Sequence, residues 1–128
     1  MARTIELADG VYRIATDNYR LNTGLVLGLE RALVVDTGAG PRQATEIYDE
    51  VRRLTRLPIT VVNTHGHYER FFGNDVFAAM GAEEFWAHPR AARAIRKYGE
   101  AQRPYVETLE PEMAHHQGAA TDIIVPNR

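Results

Sequence analysis

The sequence predicts a layered α/β domain, and three observations carry that expectation. Short runs rich in β-branched and aromatic residues alternate with segments of helical period. Gly and Pro fall between these runs, where the chain must turn or stop. The 128 residues are 45% hydrophobic and 25% charged, which suits one soluble globular domain with a real core. One domain spanning 1–128 is therefore expected.

Taken in order, "GVYRIA" and "TGLVLGLERALVVDTG" read as an antiparallel start with a turn near Glu30 and Arg31. From Gly40 the period changes. In "GPRQATEIYDEVRRLTRLP", Ala44, Ile47, Tyr48, Val51 and Leu54 share one helical face, with Pro41 in the first turn and Pro58 closing the segment. "PITVVNT" is continuously apolar, as in a strand covered on both faces. "FFGNDVFAAMG" places Phe72, Val76 and Met80 on one helical stripe, and "EEFWAHP" reads as a further strand. "PRAARAIRKYG" reads as a helix started by Pro89 and stopped by Gly99. A polar helical segment with Pro104 and Pro111 follows, then "TDIIVPNR" as a last strand. Gly24, Gly28, Gly38 and Gly73 suit turns and close backbone approaches, and no phosphate-binding spacing is present.

This layout leaves a sheet face without cover. The helix over 41–56 can seal one face of "LVLGL", "ALVVD" and "ITVVN", but the residues left for the other face are few and mostly charged. An apolar face that needs a partner is expected.

A net charge of -2, with 15 Lys plus Arg against 17 Asp plus Glu, gives no field that favours nucleic acid or an acidic membrane surface. Arg90, Arg93, Arg96 and Lys97 recur at helical spacing near Glu100 and read as a solvated helix face. No apolar run is long enough to span a bilayer, and "MARTIELADGVYRI" lacks a secretory pattern. With no cysteine neither redox compartment is favoured, so cytoplasm is the default expectation.

"VVNTHGHYERFFGN" carries the chemistry. His65 and His67 are one residue apart past an apolar strand, and alternation along an extended chain points both imidazoles to one side. Two histidines alone do not make a catalytic zinc site, which normally has three protein ligands and an open position for water. Taken alone, His65-x-His67 reads as structural or incidental.

With "ALVVDTG" before it and "FWAHPRA" after it, the stretch resembles the metallo-β-lactamase superfamily, where an hhDTG strand end precedes a THxHxDH loop and an AHP element follows. The FGN after the loop is most similar to the broad-specificity hydrolases of that superfamily. The resemblance implies an αββα fold, here its N-terminal ββα half, with zinc-hydroxide hydrolysis of an ester, amide or lactone-type bond. It makes His65 and His67 metal ligands, Asp36 the residue that supports the metal loop from behind, and Thr64 and His88 structural. Tyr68 lines a substrate cleft or packs under the loop.

Three departures stand out. Glu69 replaces the motif aspartate and keeps its charge, as a metal ligand or a general base, but moves the carboxylate by ~1.5 Å. Arg70 replaces the last histidine and has no acceptor with which to bind a metal; it is expected to pair with Glu69. The family's other ligands lie in a second half that these 128 residues do not contain, and His115 and His116 do not match them. The missing part is expected from self-association as a homodimer or from a complementary second-half chain. The alternative is a non-catalytic binding or assembly domain that keeps the architecture.

Overall fold

The computed structural model describes residues 2–17, 21–109 and 124. Its centre is a six-stranded sheet in simple chain order: β1 Arg3–Ala8, β2 Val11–Ala15, β3 Asn22–Leu27, β4 Ala32–Val35, β5 Ile59–Asn63 and β6 Glu84–Ala87. The first three pairings are antiparallel hairpins and the last two are parallel, with helical crossovers. The expected turn near Glu30 and Arg31 is present and is closed by the Gly28 N–H donating to the Arg31 carbonyl at 2.8 Å. β1 is not anticipated by the patterning above. Its signal is Asp9-Gly10, a two-residue hairpin connection in which Gly10 takes φ 73°.

Helix α1, Pro41–Leu54, forms where the 3.6-residue period predicts it. Ala44, Ile47, Tyr48 and Val51 are buried on it. Gln43 reaches back from the first turn, its Oε1 accepting the Ala39 N–H at 2.8 Å, which satisfies an amide ahead of the helix. Across the sheet, Ile14, Leu25, Ala32, Val34, Ile59, Val61, Phe85 and Ala87 join α1 in one core cluster. They alternate with outward residues, so β5 is sealed on one face rather than both.

The apolar side chains expected on the opposite face are present. Register places Val26 beside Leu33, and Gly24, Val35, Val62 and Trp86 in one row across four strands. All are half-buried or exposed, and Ile5 and Leu7 extend the face into β1.

The segment after β5 departs from a single helical stripe. It folds as α2, Tyr68–Phe71, and α3, Asn74–Ala79, with Gly73 between them. The break resets the helical phase, so Phe77 is fully buried while Met80 is 47% exposed, in place of the expected Phe72, Val76 and Met80 row. Gly73 is needed there because a Cβ would lie 2.1 Å from the Thr37 carbonyl oxygen.

Helix α4, Pro89–Tyr98, starts as expected, with His88 Nδ1 accepting the Arg90 N–H at 3.1 Å as its cap. Its arginines and Lys97 face solvent. Gly99 does not stop the chain in a left-handed turn. It stays helical at φ -56°, leaving room for the Phe71 ring, and leads into a 3₁₀ turn, Glu100–Gln102, and α5, Arg103–Leu109. Pro111, His115, His116 and most of "TDIIVPNR" lie outside the described residues; Ile124 makes a parallel bridge to Trp86 beyond the β6 edge. No helix among the described residues is long and apolar enough to cross a membrane.

Candidate metal centre

The site is built at the ends of parallel strands β4 and β5. β4 runs into Asp36, which is 3% exposed and sits at φ 67°, a left-handed conformation that Asp adopts more readily than most side chains. That turn aims its carboxylate at the end of β5. Oδ1 accepts the Thr64 N–H at 2.8 Å and Oδ2 accepts the Thr64 hydroxyl at 2.7 Å, which fixes the residue next to His65. Burial pushes the Asp36 carboxyl above the usual carboxylate range, against the pull of the Thr64 hydrogen bonds, Arg70 and His65.

Below the loop lies a buried polar network. The side-chain amides of Asn63 and Asn74 pair reciprocally at 3.1 and 2.7 Å. The Thr37 hydroxyl donates to Asn74 Oδ1 at 2.7 Å, and the Asn63 amide also donates to the Arg70 carbonyl at 3.1 Å. The Thr37 N–H donates to that same carbonyl, so β4, β5 and α2 meet at one bonded knot. Buried polar groups need such partners, and here each side chain finds one.

Above it, His65 and His67 are exposed and lie edge to face, with ring centroids 4.8 Å apart. Both imidazoles reach the same side, as the spacing predicts. Glu69 turns back from the first turn of α2, with Oε1 3.6 Å from His67 Nδ1. One donor atom from each of the three lies within 4.8 Å of the others, so the group could hold a metal ion. Ligands at 2.0–2.2 Å in a tetrahedral shell are roughly 3.3 Å apart, a spacing that small side-chain rotations reach from here. Two imidazoles and a carboxylate form a borderline donor set that suits zinc.

The expected ion pair of Arg70 with Glu69 is absent. Arg70 instead points inward to Asp36, Nη1 to Oδ2 at 3.6 Å, because Asp36 is the buried charge that needs compensation. Its Nε is buried with no hydrogen-bond partner. Glu69 is left to face the histidines.

The donors form the floor of a cleft of about 970 Å³, with Leu21, Tyr68, Tyr98 and Tyr105 among its walls. Tyr68 both lines the cleft and packs on Phe72 at 5.9 Å between centroids. Gln102, Tyr98 and Tyr105 were not anticipated as site residues, and no local motif marks them. Asn74 had a signal in the FGN segment, and Asn63 directly precedes the Thr64-His65 pair.

Comparison with known proteins agrees with this geometry. The model of the metallo-beta-lactamase superfamily matches residues 19–122. Among solved structures, the metallo-beta-lactamase from Hirschia baltica superposes with a TM-score of 0.66 at 22% identity, covering 77% of this chain and 48% of that one. That from Erythrobacter litoralis gives 0.63 at 24% identity, covering 77% and 46%. FIM-1 from Pseudomonas aeruginosa, in a mono-zinc form, gives 0.64 at 19% identity, again covering 77% and 46%. The chain thus spans about half the length of the structures it matches, as expected for half of their fold. With an Asp36 and Thr64 brace under exposed His65 and His67 and a half-buried Glu69, and a family match over most of its length, the chain belongs to the metallo-beta-lactamase superfamily.

Proposed function

We propose that this chain is the zinc-binding half of a metal-dependent hydrolase acting on an ester, amide or lactone-type bond. The observation that carries the reading is the convergence of His65, His67 and Glu69 donors within 4.8 Å at the floor of a cleft. His65 and His67 would hold the ion, with Glu69 as third ligand or as the base that accepts the proton from the attacking water. Zinc, when bound, supplies acidification of a coordinated water toward pKa ~7. Asp36 keeps Thr64, and through it His65, in place. The tyrosine walls limit water and seat the apolar part of a substrate. Among the described residues the cleft is lined by aromatic and small apolar side chains beside the donors, which suits a small-molecule substrate.

The open sheet face and the half-length match to solved structures support completion by a second chain, as a homodimer or with a complementary second half. Such a partner would supply the remaining ligands, and hydrolysis is proposed for the completed assembly. A second reading, a binding or assembly domain without catalysis, is favoured by Arg70, which is committed to Asp36 and contributes nothing to a second metal.

Elemental analysis of chelator-free protein, with His65→Ala alongside, tests the first reading. At least about half a zinc per chain, lost in the variant, is the expected result. A metal-free wild-type chain sinks it. With metal present, a Glu69→Gln variant that hydrolyses esters at the full wild-type rate would remove Glu69 from both of its roles.

A further inference from the structure

Gln102 lies 36 positions after Gly66 in sequence, yet its side chain is built into the histidine loop. Its Nε2 donates to the Gly66 carbonyl at 2.7 Å, and its Oε1 accepts the Tyr68 N–H at 2.8 Å. Gly66 and Tyr68 are the two neighbours of His67, so one amide group spans the backbone on both sides of a candidate ligand. A primary amide is suited to this because it carries a donor and an acceptor side by side; a flipped amide would set N–H against N–H and oxygen against oxygen. The Tyr68 N–H belongs to the first turn of α2 and has no acceptor within that helix.

The surroundings press the same stretch from the same direction. A Cβ on Gly66 would lie 2.7 Å from the Ala94 Cβ, so α4 packs directly on the loop backbone there. Within the loop, the His67 N–H reaches His65 Nδ1 at a long 3.4 Å. That contact is too weak to set the orientation of exposed rings. The floor network beneath braces Thr64 and Arg70 but does not reach residues 66–68. The α2 backbone bonds the His67 and Tyr68 carbonyls, and the side-chain hold on the Gly66 carbonyl and the Tyr68 N–H comes from the segment after α4.

We infer that Gln102 is a positioning residue for the metal group: by bonding both neighbours of His67 it fixes the backbone from which that imidazole projects, and so presets the spacing of His65, His67 and Glu69. This rests on the zinc reading of the site. It adds a distant element to that site, because the segment carrying Tyr98 and Tyr105 both walls the cleft and sets the ligand geometry. Anything that shifts that segment shifts the metal group with it.

The test uses Gln102→Met, which keeps the length and bulk but has no amide, beside Gln102→Ala and wild type. Zinc affinity is read by competition with a chromophoric chelator, and Tyr68 amide exchange is read by NMR on metal-free protein. The expected result is a loss of about 10–100-fold in zinc affinity in both variants, the range for residues that orient ligands. Tyr68 exchange should accelerate at least about tenfold, with an unchanged circular dichroism spectrum. If Gln102 only fills space, Gln102→Met will bind zinc as wild type does, and the inference is overturned. Should Gln102→Met not fold, Gln102→Asn, one methylene short of reach, carries the same reading. A wild-type chain that binds no zinc overturns the metal reading and this role with it; zinc bound equally by wild type and Gln102→Met overturns this role alone.

Discussion

The floor and the rim of the histidine loop are made to opposite rules. On the floor, Asp36, Thr37, Asn63 and Asn74 are at most 4% exposed, and each is bonded to a partner on another element. On the rim, His65 and His67 stand in solvent, with the His67 side chain 74% exposed and only long contacts made by the two rings. The floor is where the fold's rigidity lies, since a buried polar group that loses its partner is costly. The rim rings contribute little to stability and can turn onto a ligand, while the backbone beneath them is held by Gln102. A binding group can therefore be displayed without making the fold depend on it.

Substitutions can break or sharpen that contrast. The largest effect is expected from Gly73→Ala, whose Cβ would meet the Thr37 carbonyl oxygen at 2.1 Å. Backbone on both sides must move, so a loss of at least ~3 kcal/mol is expected in urea melts. Next comes Asn74→Ala, which strands the Thr37 hydroxyl and Asn63 Oδ1 and should cost about 2–3 kcal/mol in the same measurement. A floor that tolerates both changes within ~0.5 kcal/mol would not be the rigid part described here.

Asp36 stands at the junction, and its effect should depend on pH. Burial raises its folded-state pKa above the usual carboxylate range, so the folded state binds the proton more tightly than the unfolded chain. The resulting stabilisation is fully present below the unfolded pKa and is lost as pH rises through the folded pKa. Asp36→Asn removes this dependence while keeping an oxygen to accept the Thr64 N–H. Comparing urea melts from pH 4 to 7, wild type should lose ground to the variant as pH rises. A constant difference across that range would contradict the assignment. The smallest stability effects belong to the rim: His65→Ala and His67→Ala should each change stability by less than ~0.5 kcal/mol in metal-free protein, yet abolish zinc binding by elemental analysis.

The same contrast separates what the sequence makes legible from what it hides. Asp36, Thr64, His65 and His67 are readable because they fall in one short motif and one strand end, where local spacing fixes direction. The α1 stripe from Ala44 to Val51 is readable because a helix buries by period alone. Gln102 is not, since its role exists only once α4 brings it to Gly66. Arg70 is misplaced by local reasoning for a related reason: Glu69 is adjacent in sequence, but Asp36 is the charge that burial leaves needing compensation. The helical stripe through Phe72, Val76 and Met80 fails because period counting assumes one continuous helix. The chain breaks at Gly73 to let α3 approach Thr37. β1 shows little inward pattern because it is mostly exposed and held by backbone pairing at the sheet edge, with Thr4 alone tied to Glu50 of α1.

The row of side chains across the open face ends at the chain's one tryptophan, Trp86, whose indole N–H donates to Glu84 Oε1 at 3.3 Å. Its ring is half-buried on that face. The protein therefore carries its own optical reporter for that surface, with no second indole to blur the signal. If a second chain covers the face, as proposed, the emission of Trp86 should move to shorter wavelength and become shielded from a water-soluble quencher such as acrylamide. The concentration at which that happens would measure the affinity of the assembly without any label.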